Sequence, residues 1–271
     1  MVKRFAIIIE SGNVKGLRDL PGARQDAENW RSFLMSDLGG AWIDKVEICV
    51  VNKPKIASIQ TLLRQHANDY VFLAFSGHGF EECNSSLKKS VPKICLNDDE
   101  QSVDVDLISP ASFGTAVFDS CRGFENVRAH IAIANESVAL NKTISFSQKT
   151  AMDSLSRMLN TANANSQTVK QLFLRRLDCK QMYDVVRMYS CSSNESAEDF
   201  EGDANAGGYY TTFLMRGAKA WQEKRRNIQY YDVYTTKQAH DFACEAMRER
   251  NPQQHPEYSP DWQSYPFAIG W

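Results

Sequence analysis

Two short segments hold the side chains best suited to chemistry. His78 stands between two glycines in Ser76-Gly77-His78-Gly79, and Cys121 stands 43 residues downstream in Asp119-Ser120-Cys121-Arg122-Gly123. A thiol is a weak nucleophile until it ionises, and a neighbouring imidazole or helix N-terminus makes that possible near neutral pH. Glycines beside His78 leave the backbone open to a substrate, and the N–H groups of Gly79 and Cys121 suit an oxyanion. Taken singly, each residue also has a plain reading. A lone cysteine after a strand is a common small core filler, and a histidine between glycines is a common loop residue.

The pair acts together only if the fold brings the two segments together, and the surrounding pattern predicts such a fold. Lys3–Ile9 is short and rich in β-branched residues, as in a parallel strand covered on both faces. Turn-prone residues run from Ser11 to Gly22. Helical spacing follows over Arg24–Leu38, with Ala27, Trp30, Phe33 and Leu34 on one face and Gly39-Gly40 as its end. Lys45–Val51 is a second strand, and Pro54 opens a second helix reaching His66. Tyr70–Phe75 is a third strand that runs into the His78 segment. Thr115–Phe118 is a fourth that runs into the Cys121 segment. Between these two, Lys88–Leu96 suits a hairpin arm, Asn97–Asp106 an exposed acidic loop and Val105–Ser112 a short helix. Phe124 to Lys180 is polar, with helical patches at Ala151–Leu159 and Val169–Leu177. Val185–Ser190 is a fifth strand, Gly207–Trp221 and Thr236–Arg250 are helices, and the tail holds a strand around Phe267–Ile269. No internal repeat is visible. Alternation of this kind implies a mostly parallel α/β sheet, whose sites lie at the carboxyl ends of its strands. Both His78 and Cys121 fall at such ends.

Composition narrows the function classes. The chain has 271 residues, 43% hydrophobic and 24% charged, with a net charge of −2. That suits a globular protein and argues against a nucleic-acid footprint or a membrane-surface protein. No apolar run approaches the roughly 18–20 residues that cross a bilayer. The first apolar run, Phe5 to Ile9, is too short for a secretory leader and is closed by Glu10. Seven cysteines without CxxC spacing disfavour a disulfide framework or a zinc site and suit a reducing cytosol, so a cytoplasmic location is expected. A flavodoxin-like nucleotide binder would need a glycine-rich loop after the first strand, and Glu10-Ser11-Gly12-Asn13 carries one glycine.

The motifs together resemble the caspase/metacaspase/paracaspase group of cysteine peptidases, and within it bacterial metacaspase-like proteins. Phe75-Ser76-Gly77-His78-Gly79 matches the group's histidine motif. Phe118-Asp119-Ser120-Cys121-Arg122-Gly123 matches the metacaspase D-S-C motif, with Arg122 following the cysteine as in caspases. Leu20-Pro21-Gly22-Ala23-Arg24-Gln25-Asp26-Ala27 resembles the metacaspase L-x-G-C-x-N-D-A segment, with Ala23 in place of its cysteine. Ser190-Cys191 with Asn194-Glu195-Ser196-Ala197-Glu198, and Gly207-Gly208-Tyr209-Tyr210-Thr211, resemble two later landmarks in the same order.

The resemblance implies a single domain over residues 1–271: a large-subunit-like part at 1–123, a linker or insert at 124–180, and a small-subunit-like part at 181–271. It implies a three-layer α/β/α sandwich around a six-stranded sheet with five parallel strands. By the same resemblance Cys121 is the nucleophile, His78 the general acid/base, and the Gly79 and Cys121 amides the oxyanion hole. Asp26 and Asp119 would line an acidic pocket that prefers Arg or Lys before the scissile bond, with Glu195 as a looser third member. Asp26 also reads as an ordinary first-turn carboxylate. Arg24 and Arg122 keep open the caspase preference for Asp, and a catalytically silent scaffold or regulator is the other alternative. The 124–180 segment, with Lys142, Lys149, Arg157, Lys170, Arg175, Arg176 and Lys180, is either a self-cleavage linker or a solvated insert. No cofactor or metal is expected. The acidic residues Asp98, Asp99, Glu100, Asp104 and Asp106 fit no EF-hand spacing, which leaves calcium activation or a solvated loop. A protein or peptide is the expected substrate, and a ligand, partner chain or cleavage the expected switch.

Overall fold

The structure is a computed structural model of the chain. It describes residues 2–52, 55–84, 89–96, 102–123, 166–178, 184–200, 207–225, 228 and 230–270. In chain order its strands are β1 (Arg4–Ser11), β2 (Ile48–Asn52), β3 (Tyr70–Gly77), β4 (Gly79–Asn84), β5 (Lys89–Cys95), β6 (Ser102–Asp104), β7 (Gly114–Asp119), β8 (Val185–Tyr189), β9 (Asp232–Thr235), β10 (Glu257–Ser259) and β11 (Pro266–Gly270). Its helices are α1 (Pro21–Met35), α2 (Ile56–Gln65), α3 (166–178), α4 (Tyr209–Lys224) and α5 (Thr236–Arg250).

The main sheet has six strands in the order β10-β8-β7-β3-β1-β2. Five are parallel, and β10 runs antiparallel to β8 at one edge. Every residue of β1, β3 and β7 is buried, as apolar strands covered on both faces must be. Alternate side chains divide the core. Ala6, Ile8, Phe72, Ala74, Val117, Val186 and Met188 face α1, α3, α4 and α5. Ile7, Ile9, Leu73, Phe75, Ala116 and Phe118 face α2 and the β5–β6 arm, with Ile59, Ile94 and Val103 filling between. The α/β/α layering therefore holds, with a small antiparallel sheet, β4-β5-β6, sharing the α2 side. Trp30 of α1 anchors the larger half, 5.0 Å from the Phe72 ring and 6.0 Å from that of Phe267.

Several expected boundaries move, each for a local reason. α1 begins at Pro21 rather than Arg24, because proline's fixed φ suits the first helical turn. It ends at Met35, where Ser36 turns extended, and Gly39-Gly40 belong to the turn beyond. The Val105–Ser112 helix shrinks to a 3-10 turn, Val105–Ile108, ahead of Pro110. The expected acidic loop contributes β6, and its residues 97–101 lie outside the described residues, as does the Ala151–Leu159 patch. The tail strand exists as β11 but pairs with β9 in a separate two-stranded sheet. The sixth strand of the main sheet is β10, whose three residues are too short to show a period. Five cysteines among the described residues, Cys49, Cys95, Cys121, Cys191 and Cys244, are free thiols. No helix among the described residues is long and apolar enough to cross a membrane.

The carboxyl edge of the sheet is held in tight register, with Ser11 of β1 beside Gly77 of β3 and Ser76 beside Asp119 of β7. A Cβ at Gly77 would overlap the Ser11 carbonyl. Gly77→Ala is therefore expected to push β3 away from β1 next to His78, at a cost of about 1–3 kcal/mol. Thermal unfolding followed by circular dichroism checks this, and an unchanged melting temperature would contradict it.

Candidate active site

His78 leaves the end of β3 and is immediately pinned by the hairpin that follows. β4 and β5 fold back, and the Cys95 N–H donates to the His78 carbonyl at 2.9 Å. The ring is oriented from the other side of the cleft, where its Nε2 lies 2.7 Å from the Arg18 carbonyl oxygen. A carbonyl only accepts, so Nε2 carries the proton and Nδ1 is the basic nitrogen of the neutral ring. Arg18 lies in the turn between β1 and α1. A main-chain carbonyl leaves no mark on the residue type, so the sequence gives no signal for this contact.

Cys121 follows β7 by two residues. The two motifs meet at Gly79, where a Cβ would lie 2.7 Å from Ser120 Oγ and 2.9 Å from the Cys121 carbonyl oxygen. Only a glycine lets the His78 segment pack this closely on the Cys121 segment. The loop after β8 covers the thiol. The Ala197 N–H donates to Sγ at 3.4 Å, and the thiol donates to the Ala197 carbonyl at 3.6 Å. Burial pushes the Cys121 thiol up, and the charges of Asp119 and Asp199 add to it, against the pull of the Ala197 amide. The thiol is thus protonated at rest and needs a base to ionise.

Beside the thiol the structure brings Asp26 and Asp119 together. Asp26 is fully buried, accepting from Ser76 Oγ at 2.7 Å and from the Gly208 N–H at 3.1 and 3.2 Å. Asp119 accepts from the Thr211 N–H at 3.1 Å and from Thr211 Oγ1 at 2.7 Å. Burial and the nearby Asp119 charge push the Asp26 carboxyl well above the usual carboxylate range, and burial raises Asp119 too. Asp26 is therefore more than a solvated first-turn carboxylate. The glycines expected at the start of α4 make room for the pair, since a Cβ at Gly207 would overlap the Asp26 carboxylate and one at Gly208 that of Asp119.

Glu195 lies elsewhere. Its Oε2 accepts from the N–H groups of Ser192 (3.0 Å) and His255 (2.7 Å), and its Oε1 lies 2.7 Å from His255 Nδ1. It staples the loop after β8 to the segment before β10, and these hydrogen bonds hold its carboxylate at that staple.

Arg122 is buried against the same loop. Its Nε donates to Glu81 Oε1 at 2.8 Å, its Nη2 also bonds Glu81, and its Nη1 reaches Glu257 and, at 3.1 Å, the Cys191 carbonyl. The guanidinium sits 4.7 Å from the centre of the Tyr189 ring. Arg24 is exposed on α1. Of the acidic stretch, Asp104 pairs with Lys93 at 3.2 Å and Asp106 with Arg187 at 3.1 Å, while 98–100 lie outside the described residues. No group of three metal-ligating side chains occurs among the described residues.

Removing Arg122 leaves Glu81, whose side chain has 0% exposure, as a buried unpaired charge. Arg122→Met is expected to cost about 3–5 kcal/mol, and adding Glu81→Leu to recover part of that loss. Denaturant unfolding of the single and double variants measures both, and equal stability of Arg122→Met and wild type would contradict the clamp.

Comparisons with known proteins agree with this architecture. Crystalline caspase-1 from Spodoptera frugiperda superposes with a TM-score of 0.52 over 95% of this chain and 86% of its own, at 12% sequence identity, a likeness of fold. No curated protein matches the sequence. The family model described as "Caspase domain" matches residues 3–263. With the strand order, the sandwich and nearly the whole length accounted for, the chain belongs to the caspase domain family of cysteine peptidases.

Proposed function

We propose that the protein is a cysteine endopeptidase that cuts protein substrates after Arg or Lys, as metacaspases do, through His78 and Cys121. His78 Nδ1 takes the thiol proton, and the Cys121 sulfur attacks the scissile carbonyl. The N–H groups of Gly79 and Cys121 receive the developing oxyanion. His78 then returns the proton to the departing amine, leaving a thioacyl-enzyme. Water, activated by the same imidazole, attacks that thioester, and Cys121 leaves as the thiol.

The observation that carries the basic preference is the buried Asp26–Asp119 pair beside the nucleophile. Among the described residues no Lys or Arg forms an ion pair with either carboxylate. Burial without a counter-ion penalises their charged forms, and a substrate guanidinium or ammonium removes that penalty through charge-assisted hydrogen bonds. The same cation offsets the negative charge that raises the Cys121 thiol, so a basic side chain favours both binding and ionisation of the nucleophile. The alternative preference for Asp finds less support, because Glu81 and Glu257 already occupy the Arg122 guanidinium. Self-cleavage within 124–180, if it accompanies activation, concerns a segment mostly outside the described residues.

A fluorogenic panel varying only the residue before the cut tests the reading. Arg and Lys substrates should be hydrolysed and Asp substrates ignored, with Cys121→Ala and His78→Ala inactive; preference for Asp would sink it. The pH profile has a defined sign. Asp26 has a raised pKa, so its charge is lost as pH falls through a value above the ordinary carboxylate range. kcat/KM for an Arg substrate should therefore begin to fall on acidification earlier than an unperturbed carboxylate would dictate.

A further inference from the structure

Two thiols that the proposed reaction leaves idle lie around the nucleophile. Cys95 ends β5, and its N–H donates to the His78 carbonyl. Cys191 follows β8 by two residues and is fully buried. Its thiol faces the Ser120 carbonyl oxygen at 3.3 Å and the Glu195 carbonyl oxygen at 3.5 Å. Burial pushes the Cys95 thiol up to about 11 and raises the Cys191 thiol as well, and in both the charge of Cys121 adds to it. Both sulfurs are thus within electrostatic reach of Cys121.

The strand register brings Cys191 next to the nucleophile. β7 and β8 pair Phe118 with Tyr189. Past the strand ends, the Ser190 N–H donates to the Phe118 carbonyl at 2.9 Å, and the Ser120 N–H donates to Ser190 Oγ at 3.1 Å. This continuation sets Cys191 opposite Ser120, one residue before Cys121. Diagonal neighbours of this kind on adjacent strands have alpha carbons about 6 Å apart. A disulfide spans about 4.4–6.8 Å between alpha carbons. Arg122 belongs to the same arrangement. Its Nη1 donates to the Cys191 carbonyl at 3.1 Å, and its charge favours the Cys191 thiolate. The two thiols differ in access, since Cys121 is partly exposed and Cys191 is sealed. A small oxidant from solvent therefore meets Cys121 first, and Cys191 reacts only with what Cys121 presents to it.

We infer that Cys121 and Cys191 form a reversible oxidation site, in which Cys191 resolves oxidised Cys121 as a disulfide. The oxidant is a peroxide. The Cys121 sulfur, deprotonated by His78, attacks one peroxide oxygen and the O–O bond breaks. The departing oxygen takes the proton from His78 and leaves as water or an alcohol. Cys121 has lost two electrons and is a sulfenic acid. That group is neutral, so the charge that opposed ionisation of Cys191 is gone while Arg122 still favours it. The Cys191 sulfur attacks the Cys121 sulfur, the S–O bond breaks, and hydroxide leaves as water with the Cys191 proton. An external dithiol reduces the disulfide and is itself oxidised. While the bond lasts the nucleophile is silent, and Cys121 is spared the irreversible sulfinic stage. None of this depends on which residue precedes the cut.

Peptide mass spectrometry without prior reduction tests it, on full-length wild type, Cys191→Ala and Cys95→Ala after equal exposure to hydrogen peroxide. Wild type and Cys95→Ala should yield a cross-linked peptide joining Cys121 to Cys191. Dithiothreitol should then restore alkylation of Cys121 by iodoacetamide. Cys191→Ala should instead trap dimedone on Cys121 and proceed to the sulfinic acid, which dithiothreitol does not restore. If Cys191→Ala does not fold, the wild-type peptide map decides alone. Sulfinic acid on wild-type Cys121 without the Cys121–Cys191 peptide, or a bond from Cys121 to Cys95 or another cysteine, overturns the inference. Full recovery of folded Cys191→Ala under dithiothreitol overturns it too.

Discussion

Helix α4 starts on two glycines that have no side chain to offer its first amides, and Gly208, at its N-cap, makes no side-chain cap bond. Those amides are satisfied from outside, by Asp26 of α1 at the Gly208 N–H and by Asp119 of β7 at the Thr211 N–H. A carboxylate is well placed there, because unsatisfied N–H groups and the helix dipole both favour negative charge. Ser76 of β3 joins through Asp26. One node thus couples α1, β3, β7 and α4, four elements far apart in sequence, and it lies beside Cys121. Moving any of the four displaces the acids, and with them the thiol's surroundings.

The node has an electrostatic consequence. Burial raises the Cys121 thiol, and the charge of Asp119, one of the two carboxylates at the helix start, adds to it. Both effects favour the protonated thiol beneath Ala197. In the proposed reaction a basic substrate side chain supplies the missing positive charge, so recognition and activation draw on the same groups. The imidazole is oriented separately, since the Arg18 carbonyl fixes Nε2 as the protonated nitrogen.

The meeting of the His78 and Cys121 segments at Gly79 was legible because it follows from local glycines and from position after two strongly apolar strands. Among the five parallel strands, β1, β3 and β7 were the most legible, being fully buried apolar runs. The expected roles of Asp26 and Asp119 came from motif likeness, while their actual partners, Gly208 and Thr211, lie roughly a hundred residues or more away in sequence and leave no local pattern. Glu195 was the expected third acid because its motif follows the fifth strand. Glu195 turned toward His255. Arg122 looked like a specificity residue until Glu81 and Glu257 met it from two separate strands. Strands as short as β10 show no period, so the sixth strand of the sheet could be placed only in three dimensions.

The central claim is a thiol nucleophile next to a pocket that reads positive charge. The most direct measurement is intact-protein and peptide mass spectrometry after brief exposure to two matched electrophiles, a peptidyl-arginyl and a peptidyl-aspartyl chloromethyl ketone. The account predicts a single adduct on Cys121 from the arginyl reagent, blocked by His78→Ala, and little or none from the aspartyl one. Preferential labelling by the aspartyl reagent, or labelling of another cysteine in place of Cys121, would contradict it.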